Sequence, residues 1–274
     1  MDLFQDNHPV GEMSYRRPYM PLRTIARIAG FLYLIYIVSL VFTSIIHPHI
    51  FARDAAVTIN NMSVYEGRFR IAFMTELLST VFFLLAAWAL YVLLRQVDKN
   101  VALLFVLLNL GGVAVQCTST LSQYAPILLL RDAYYARVFQ AAELQALAMF
   151  FSNLGTNGFM IANVFYGVWL FPLGYLVLKC GFLPRILGIM LIIDCFAVLI
   201  WVLQFFFFSD FAAVTYLLYP TMFIAEFSFS LWLLIKGVDE KQLARWQLEA
   251  GKDWPNQAPS KPAVVLSEEE KTIS

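Results

Sequence analysis

Three carboxylates lie well inside long apolar runs: Glu76, Asp194 and Glu226. No lysine, arginine or histidine accompanies them at depth. Taking an ionised carboxylate out of water costs several kcal/mol or more unless it is paired. Each acid must therefore carry a proton, sit in a hydrated cavity or hold a cation, and an ionisable group inside a membrane is by default a functional candidate. The chemistry open to them is proton transfer, cation binding, or acceptance of hydrogen bonds from a polar ligand. The expected heights differ, with Glu76 in the outer third, Glu226 near the middle and Asp194 toward the inside. They read either as a proton ladder or as separate protonated acids, each bonded to a neighbouring helix.

Other polar residues in the apolar runs are sorted onto faces. Asn109, Gly112, Gln116, Ser119 and Gln123 recur at alternating intervals of three and four, one continuous helix face. Thr156, Met160, Asn163, Gly167 and Gly174 repeat the device, Asp194, Ala197, Trp201 and Gln204 form a third stripe, and Glu76 is joined by Ser79 and Thr80. Small and amide residues are ordinary glue between packed membrane helices, so packing is the plainest account of the stripes. The functional reading is an inward-facing polar cavity in the outer half, lined by Glu76, Gln116, Thr120, Gln123, Asn157, Asn163 and Glu226.

Catalytic parts are sparse. His47-Pro48-His49 is the one close histidine pair, with only Asp54 and Glu66 as nearby acids; a zinc site needs three or four convergent ligands, which leaves His47 and His49 as weak metal candidates. No phosphate loop or HExxH occurs, and no histidine at depth could activate a serine or threonine. The reading therefore leans away from an enzyme and calls for no cofactor. Arg53, Arg68 and Arg70 could hold a lipid phosphate at the outer interface, or simply snorkel there.

The elements that must position these residues are membrane spans. The 274 residues are 60% hydrophobic and only 14% charged, against about 25% charged in a soluble domain. Too little polar surface exists to coat a water-facing globule, and a net charge of zero implies no nucleic-acid partner. Cys117, Cys180 and Cys195 all fall in or beside apolar runs and suggest neither a disulfide framework nor a zinc cluster. With about 20 apolar residues needed to cross, six spans are expected: 24–46, stopped by His47-Pro48-His49; 69–94; 101–130, long enough to need tilt or a break near Pro126; 156–178; 186–207; and 214–235. The first reads as an uncleaved span, being too long for a signal-peptide core.

Two outer connections, 54–68 and 139–151, place apolar residues at helical spacing and read as short amphipathic helices lying in the outer interface. The predicted fold is thus an all-α polytopic bundle: a cytoplasmic tail over 1–22, a six-span domain over 23–236 and a largely disordered cytoplasmic tail over 237–274. Within that tail, 238–248 is expected to form a juxtamembrane helix anchored in the interface by Leu243 and Trp246. Orientation follows from charge: of the 19 lysines and arginines, only Arg53, Arg68, Arg70, Arg131 and Arg137 fall outside if both termini are inside, the bias expected of cytoplasmic loops.

Two motifs carry a family resemblance. Gly174-Tyr-Leu through Lys179-Cys-Gly-Phe-Leu-Pro184-Arg185-Ile-Leu-Gly188 and Arg23-Thr-Ile-Ala-Arg-Ile-Ala-Gly-Phe-Leu-Tyr33, with the Asp54-Ala-Ala stretch leading through Arg70, resemble the prokaryotic polytopic family called domain of unknown function 4386. The likeness runs from about Arg23 to Lys236. Cys180 stands where a serine or similar small residue would be expected. The resemblance implies a compact helical bundle in a bacterial or archaeal plasma membrane, and it carries no catalytic residue across.

Three readings of function remain. A proton- or cation-coupled transporter would use Glu76, Asp194 and Glu226, but the chain has few spans, no paired broken helices and no internal repeat, unless a homo-oligomer compensates. A lipid-directed enzyme would have to be built from His47, His49 and Glu66. A binding, sensing or accessory protein, alone or beside another membrane protein, needs only a cavity, and it asks least of residues that are absent.

Overall fold

The computed structural model describes residues 20–50, 57, 60–61, 64–208 and 212–253. The tails at 1–19 and 254–274, residues 54–56, 58–59 and 62–63 of the expected surface helix at 54–68 and the loop at 209–211 lie outside the described residues, as do the side chains of His47 and His49. The ordered elements are all helices: α1 (Leu22–Ile50), α2 (Glu66–Leu94), α3 (Lys99–Arg131), α4 (Ala133–Val138), α5 (Ala141–Cys180), α6 (Arg185–Phe207), α7 (Ala212–Ile235) and α8 (Glu240–Asp253). Six of them, all but α4 and α8, are long and apolar enough to cross a membrane. This is a multi-pass membrane protein.

The spans pack in chain order, each on the next, and α7 returns to pack on α1, closing a six-helix ring. Short connections make neighbours antiparallel. Exposed apolar side chains such as Phe31, Val38, Leu85, Leu107, Ile161, Ile193 and Phe196 cover the outside, the surface that lipid requires. The basic end of the ring carries Arg95, Lys99, Lys179 and Arg185, where Asp98 caps α3 by accepting from the Asn100 and Val101 N–H groups at 3.1 and 3.2 Å.

Two expectations are corrected at helix ends. Residues 139–151 are not a separate surface helix: 141–151 begin the 40-residue α5. The element that does stand apart is α4, six residues long, which Asp132 starts by accepting from the Tyr134 N–H at 2.9 Å. The chain breaks only at Phe139 and Gln140, where the Glu143 carboxylate accepts from the Gln140 N–H at 2.8 Å and starts α5. Nothing between Phe151 and Thr156 lacks an N–H, so the helix has no reason to stop. At 1.5 Å per residue α5 is about 60 Å long, twice the hydrocarbon thickness of about 30 Å, and its first turns project beyond the bilayer beside the end of α3.

Likewise, α1 runs past Pro48 to Ile50, since a proline in a last turn removes one hydrogen bond without ending the helix. Pro126 sits buried inside an unbroken α3.

The turn from α5 to α6 has a finer division of labour than its glycines suggest. Only Gly181 (φ +72°) makes the left-handed helix stop, and Pro184 (φ −61°) starts α6. Gly174 and Gly188 lie inside the two helices, facing each other: a Cβ on either would come within 2.8 Å of the other's carbonyl oxygen. They are the close-approach pair that lets α5 and α6 cross. The tail helix α8 closes over this turn. Trp246 meets the Phe182 ring edge-on at 6.1 Å, and the Asp239 N–H donates to the Phe182 carbonyl at 3.3 Å. The Trp246 and Leu243 side chains thus pack on the protein at this turn, where Phe182 and a side-chain-free Gly181 lie beneath them.

Candidate functional site

The centre of the ring is aromatic. Tyr36 stacks on Phe83 at 3.9 Å with planes 3° apart, and Phe83 meets Trp169 and Tyr166 edge-on at 5.0 and 5.2 Å. Tyr33 touches Phe83, Trp169 and Phe229. Tyrosine and tryptophan usually gather at membrane interfaces, where their polar tips reach water. Here they are buried, and the Tyr33 and Tyr166 hydroxyls and Trp169 Nε1 have no hydrogen-bond partner among the described residues.

On the side of this layer away from the basic end sits Glu76. It is 7% exposed. Its Oε1 accepts from Gln116 Nε2 at 2.5 Å and lies 2.9 Å from Thr120 Oγ1. The Thr120 hydroxyl is also 2.9 Å from the Gln116 carbonyl, and with one proton it serves one acceptor at a time. Glu76 Oε2 takes no hydrogen bond from the described residues, and Gln116 Oε1 is buried without a partner. Tyr166 lies close by, interacting electrostatically with Glu76 and Cys117. Its ring rests on Gly112, one helical turn from Gln116. Two buried polar groups without partners, Gln116 Oε1 and Tyr166 Oη, thus lie near Glu76 where α2, α3 and α5 meet.

The polar stripes are oriented as read on α2, α3 and α6: Ser79, Thr80, Asn109, Gln116, Ser119, Asp194, Ala197 and Trp201 are all buried. On α5, Met160, Gly167 and Gly174 are buried as read, Asn163 is half-buried and Thr156 exposed, and the seam near the start of the stripe runs through Ser152 and Gly155. Asn157 is exposed as well. The Asn157 and Asn163 amides donate to carbonyls of their own helix, Asn153 and Phe159, at 2.8 and 2.9 Å, and Gln123 packs on Gly155 in the α3–α5 seam. Of the seven residues expected to line one cavity, Glu76, Gln116 and Thr120 come together.

Glu226 belongs elsewhere. It lies nine residues from the basic end of α7, and Asp194 lies nine residues from the basic end of α6, a depth of about 14 Å in each helix. The two acids interact electrostatically, and Tyr33 of α1 interacts with Glu226 as well. The expected difference in their heights is corrected by the antiparallel pairing of α6 with α7. Glu76 is about nine residues, or about 13 Å along the axis, farther from the basic end. Tyr36, between the two levels, interacts with both Glu76 and Glu226. Among the described residues no group of three histidine, cysteine, aspartate or glutamate side chains is placed to hold a metal.

Comparison with known proteins settles the family. The profile of DUF4386, a domain of unknown function, matches residues 28–237, nearly the whole helical ring. The chain belongs to the DUF4386 family. An uncharacterised protein of Archaeoglobus fulgidus is similar to it, with 32% identity over 153 residues, 55% of this chain and 74% of the archaeal one. No solved structure matches. The two motifs that carry the resemblance now have physical roles in this DUF4386 chain. Gly174 and Gly188 set the α5–α6 crossing. Gly30 seats α1 on α7, where a Cβ would come within 2.5 Å of the Leu234 nitrogen and 2.6 Å of the Ser230 oxygen.

Sequence reasoning did not single out Tyr33, Tyr36, Tyr166 or Trp169 as site residues. The available signal was their position: each sits ten or more residues inside its helix, away from the interfacial belt.

Proposed function

We propose that this DUF4386 protein is a binding or sensing component of a prokaryotic plasma membrane, with both termini in the cytoplasm and a small ligand held at Glu76. The reading is carried by the Glu76 carboxylate: one oxygen is fixed by Gln116 and Thr120, and two buried groups without partners, Gln116 Oε1 and Tyr166 Oη, lie near it. Buried polar atoms without partners in a native core call for a water, an ion or a ligand. Glu76 and Gln116 Oε1 offer acceptors, and the aromatic layer of Tyr36, Phe83 and Tyr166 lies beside them. That combination suits a ligand that donates hydrogen bonds and carries positive charge, an amine or a quaternary ammonium.

The test is thermal denaturation of the purified protein with ethanolamine, choline and agmatine. A bound amine at ten times its Kd stabilises by about 1.4 kcal/mol, and Glu76→Gln should weaken binding tenfold or more. Equal affinity in the variant, or no shift with any amine, overturns the reading. Orientation is checked separately by cysteines placed at Lys99 and Tyr134 and labelled with a membrane-impermeant maleimide in intact cells. Labelling at 134 and protection at 99 is expected; the reverse would invert the topology.

A further inference from the structure

Independently of Glu76, the opposite side of the aromatic layer holds a second constellation. Asp194 is completely buried, and neither of its carboxyl oxygens has a hydrogen-bond partner among the described residues. Glu226, half-buried, stands at the same depth on α7, which packs on α6, and Tyr33 of α1, completely buried with an unpartnered hydroxyl, touches Phe229 one turn from Glu226. The other ionisable groups near the pair are Tyr36 of α1 and Cys195 of α6. No lysine, arginine or histidine pairs with either acid among the described residues.

We propose that Asp194 and Glu226 form a proton-binding site, in which the two carboxyls share one exchangeable proton and the Tyr33 hydroxyl orients Glu226. Two carboxylates at one level between packed apolar helices cannot both remain ionised without a counter-charge. One carboxylic acid donating to the other carboxylate satisfies an oxygen of Asp194 and halves the charge of the pair. A hard cation would ask for six or more oxygens. Asp194, Glu226 and Tyr33 offer five, and the helical carbonyls around them are already used within their own helices. Ser230, buried one turn along α7, is likewise committed, its hydroxyl donating to the Phe227 carbonyl at 3.0 Å. The oxygen count therefore favours the proton.

The site is tested by infrared spectroscopy of the full chain in lipid nanodiscs at neutral pH. The wild type minus Asp194→Asn/Glu226→Gln difference spectrum should contain the C=O stretch of a protonated carboxylic acid, with the intensity of one acid, and D2O should shift it. Tyr33→Phe should keep the band and move its frequency, a readout that a merely structural role would leave unchanged. If the double variant does not fold, each single variant must abolish or displace the same band. Two outcomes overturn the proposal: no carboxylic acid band in the difference spectrum, or carboxylate bands that respond to added sodium, potassium or calcium, which would make this a cation site.

Discussion

The Glu76 network can be weighed bond by bond. Replacing Glu76 by methionine, of similar length, removes the acceptor of the Gln116 amide. Gln116 Oε1 already lacks a partner, so the whole amide is then stranded in the core. Thr120 behaves differently, because its hydroxyl can turn to the Gln116 carbonyl, also 2.9 Å away. A hydrogen bond to a charged acceptor contributes about 1.5–3 kcal/mol in soluble proteins, while polar pairs between membrane helices average about 0.6 and reach about 1.7 kcal/mol. The short 2.5 Å contact places the Glu76–Gln116 pair at the upper end of the membrane range. A double-mutant cycle of Glu76→Met with Gln116→Met should therefore give a coupling of about 1–2 kcal/mol. The cycle with Thr120→Val should give less than about 0.5 kcal/mol, since the threonine loses only one of two acceptors. Reversible unfolding in SDS mixed micelles, followed by tryptophan fluorescence, measures both. Equal couplings, or a larger one for Thr120, would refute the bond-by-bond account.

Other perturbations follow from the same packing. Gly174→Val and Gly188→Val each drive a side chain into the facing helix backbone; overpacking of this kind costs about 1–3 kcal/mol. The double variant should cost less than the sum, because either one alone already parts α5 from α6; thermal unfolding reads this, and strict additivity would contradict it. Gly181→Ala places a Cβ in the left-handed region at φ +72° and should cost about 1–2 kcal/mol, with Gly181→Asn milder in the same assay. Arg23→Ala removes the ion pair to Glu240 at 3.3 Å, whose side chains are 45% and 65% exposed, so its effect should stay under about 1 kcal/mol and vanish in high salt.

Spans were legible because bilayer thickness and a period of 3.6 leave few alternatives for a chain this apolar. The six helices, the buried faces of α2, α3 and α6, and the basic end all follow from local pattern. The α5 face followed only in part: Met160, Gly167 and Gly174 are buried, but Thr156 and Asn163 satisfy themselves on their own helix carbonyls and so need no burial, while the seam also uses Ser152 and Gly155. Pairings across the ring were likewise beyond a linear reading. Asp194 and Glu226 meet because α6 and α7 are antiparallel, and the aromatic layer unites residues from α1, α2 and α5 whose sequence positions share no motif. A proline or histidine run was also a weaker stop than it looked, as the turn of α1 beyond His47 shows.

An experimental density map of the protein purified from its native membrane tests the central claim most directly. The account predicts a non-protein density in contact with Glu76 Oε2 and within hydrogen-bond reach of Gln116 Oε1 or Tyr166 Oη. A map in which Gln116 and Tyr166 instead close directly onto Glu76, with no density between them, would contradict it.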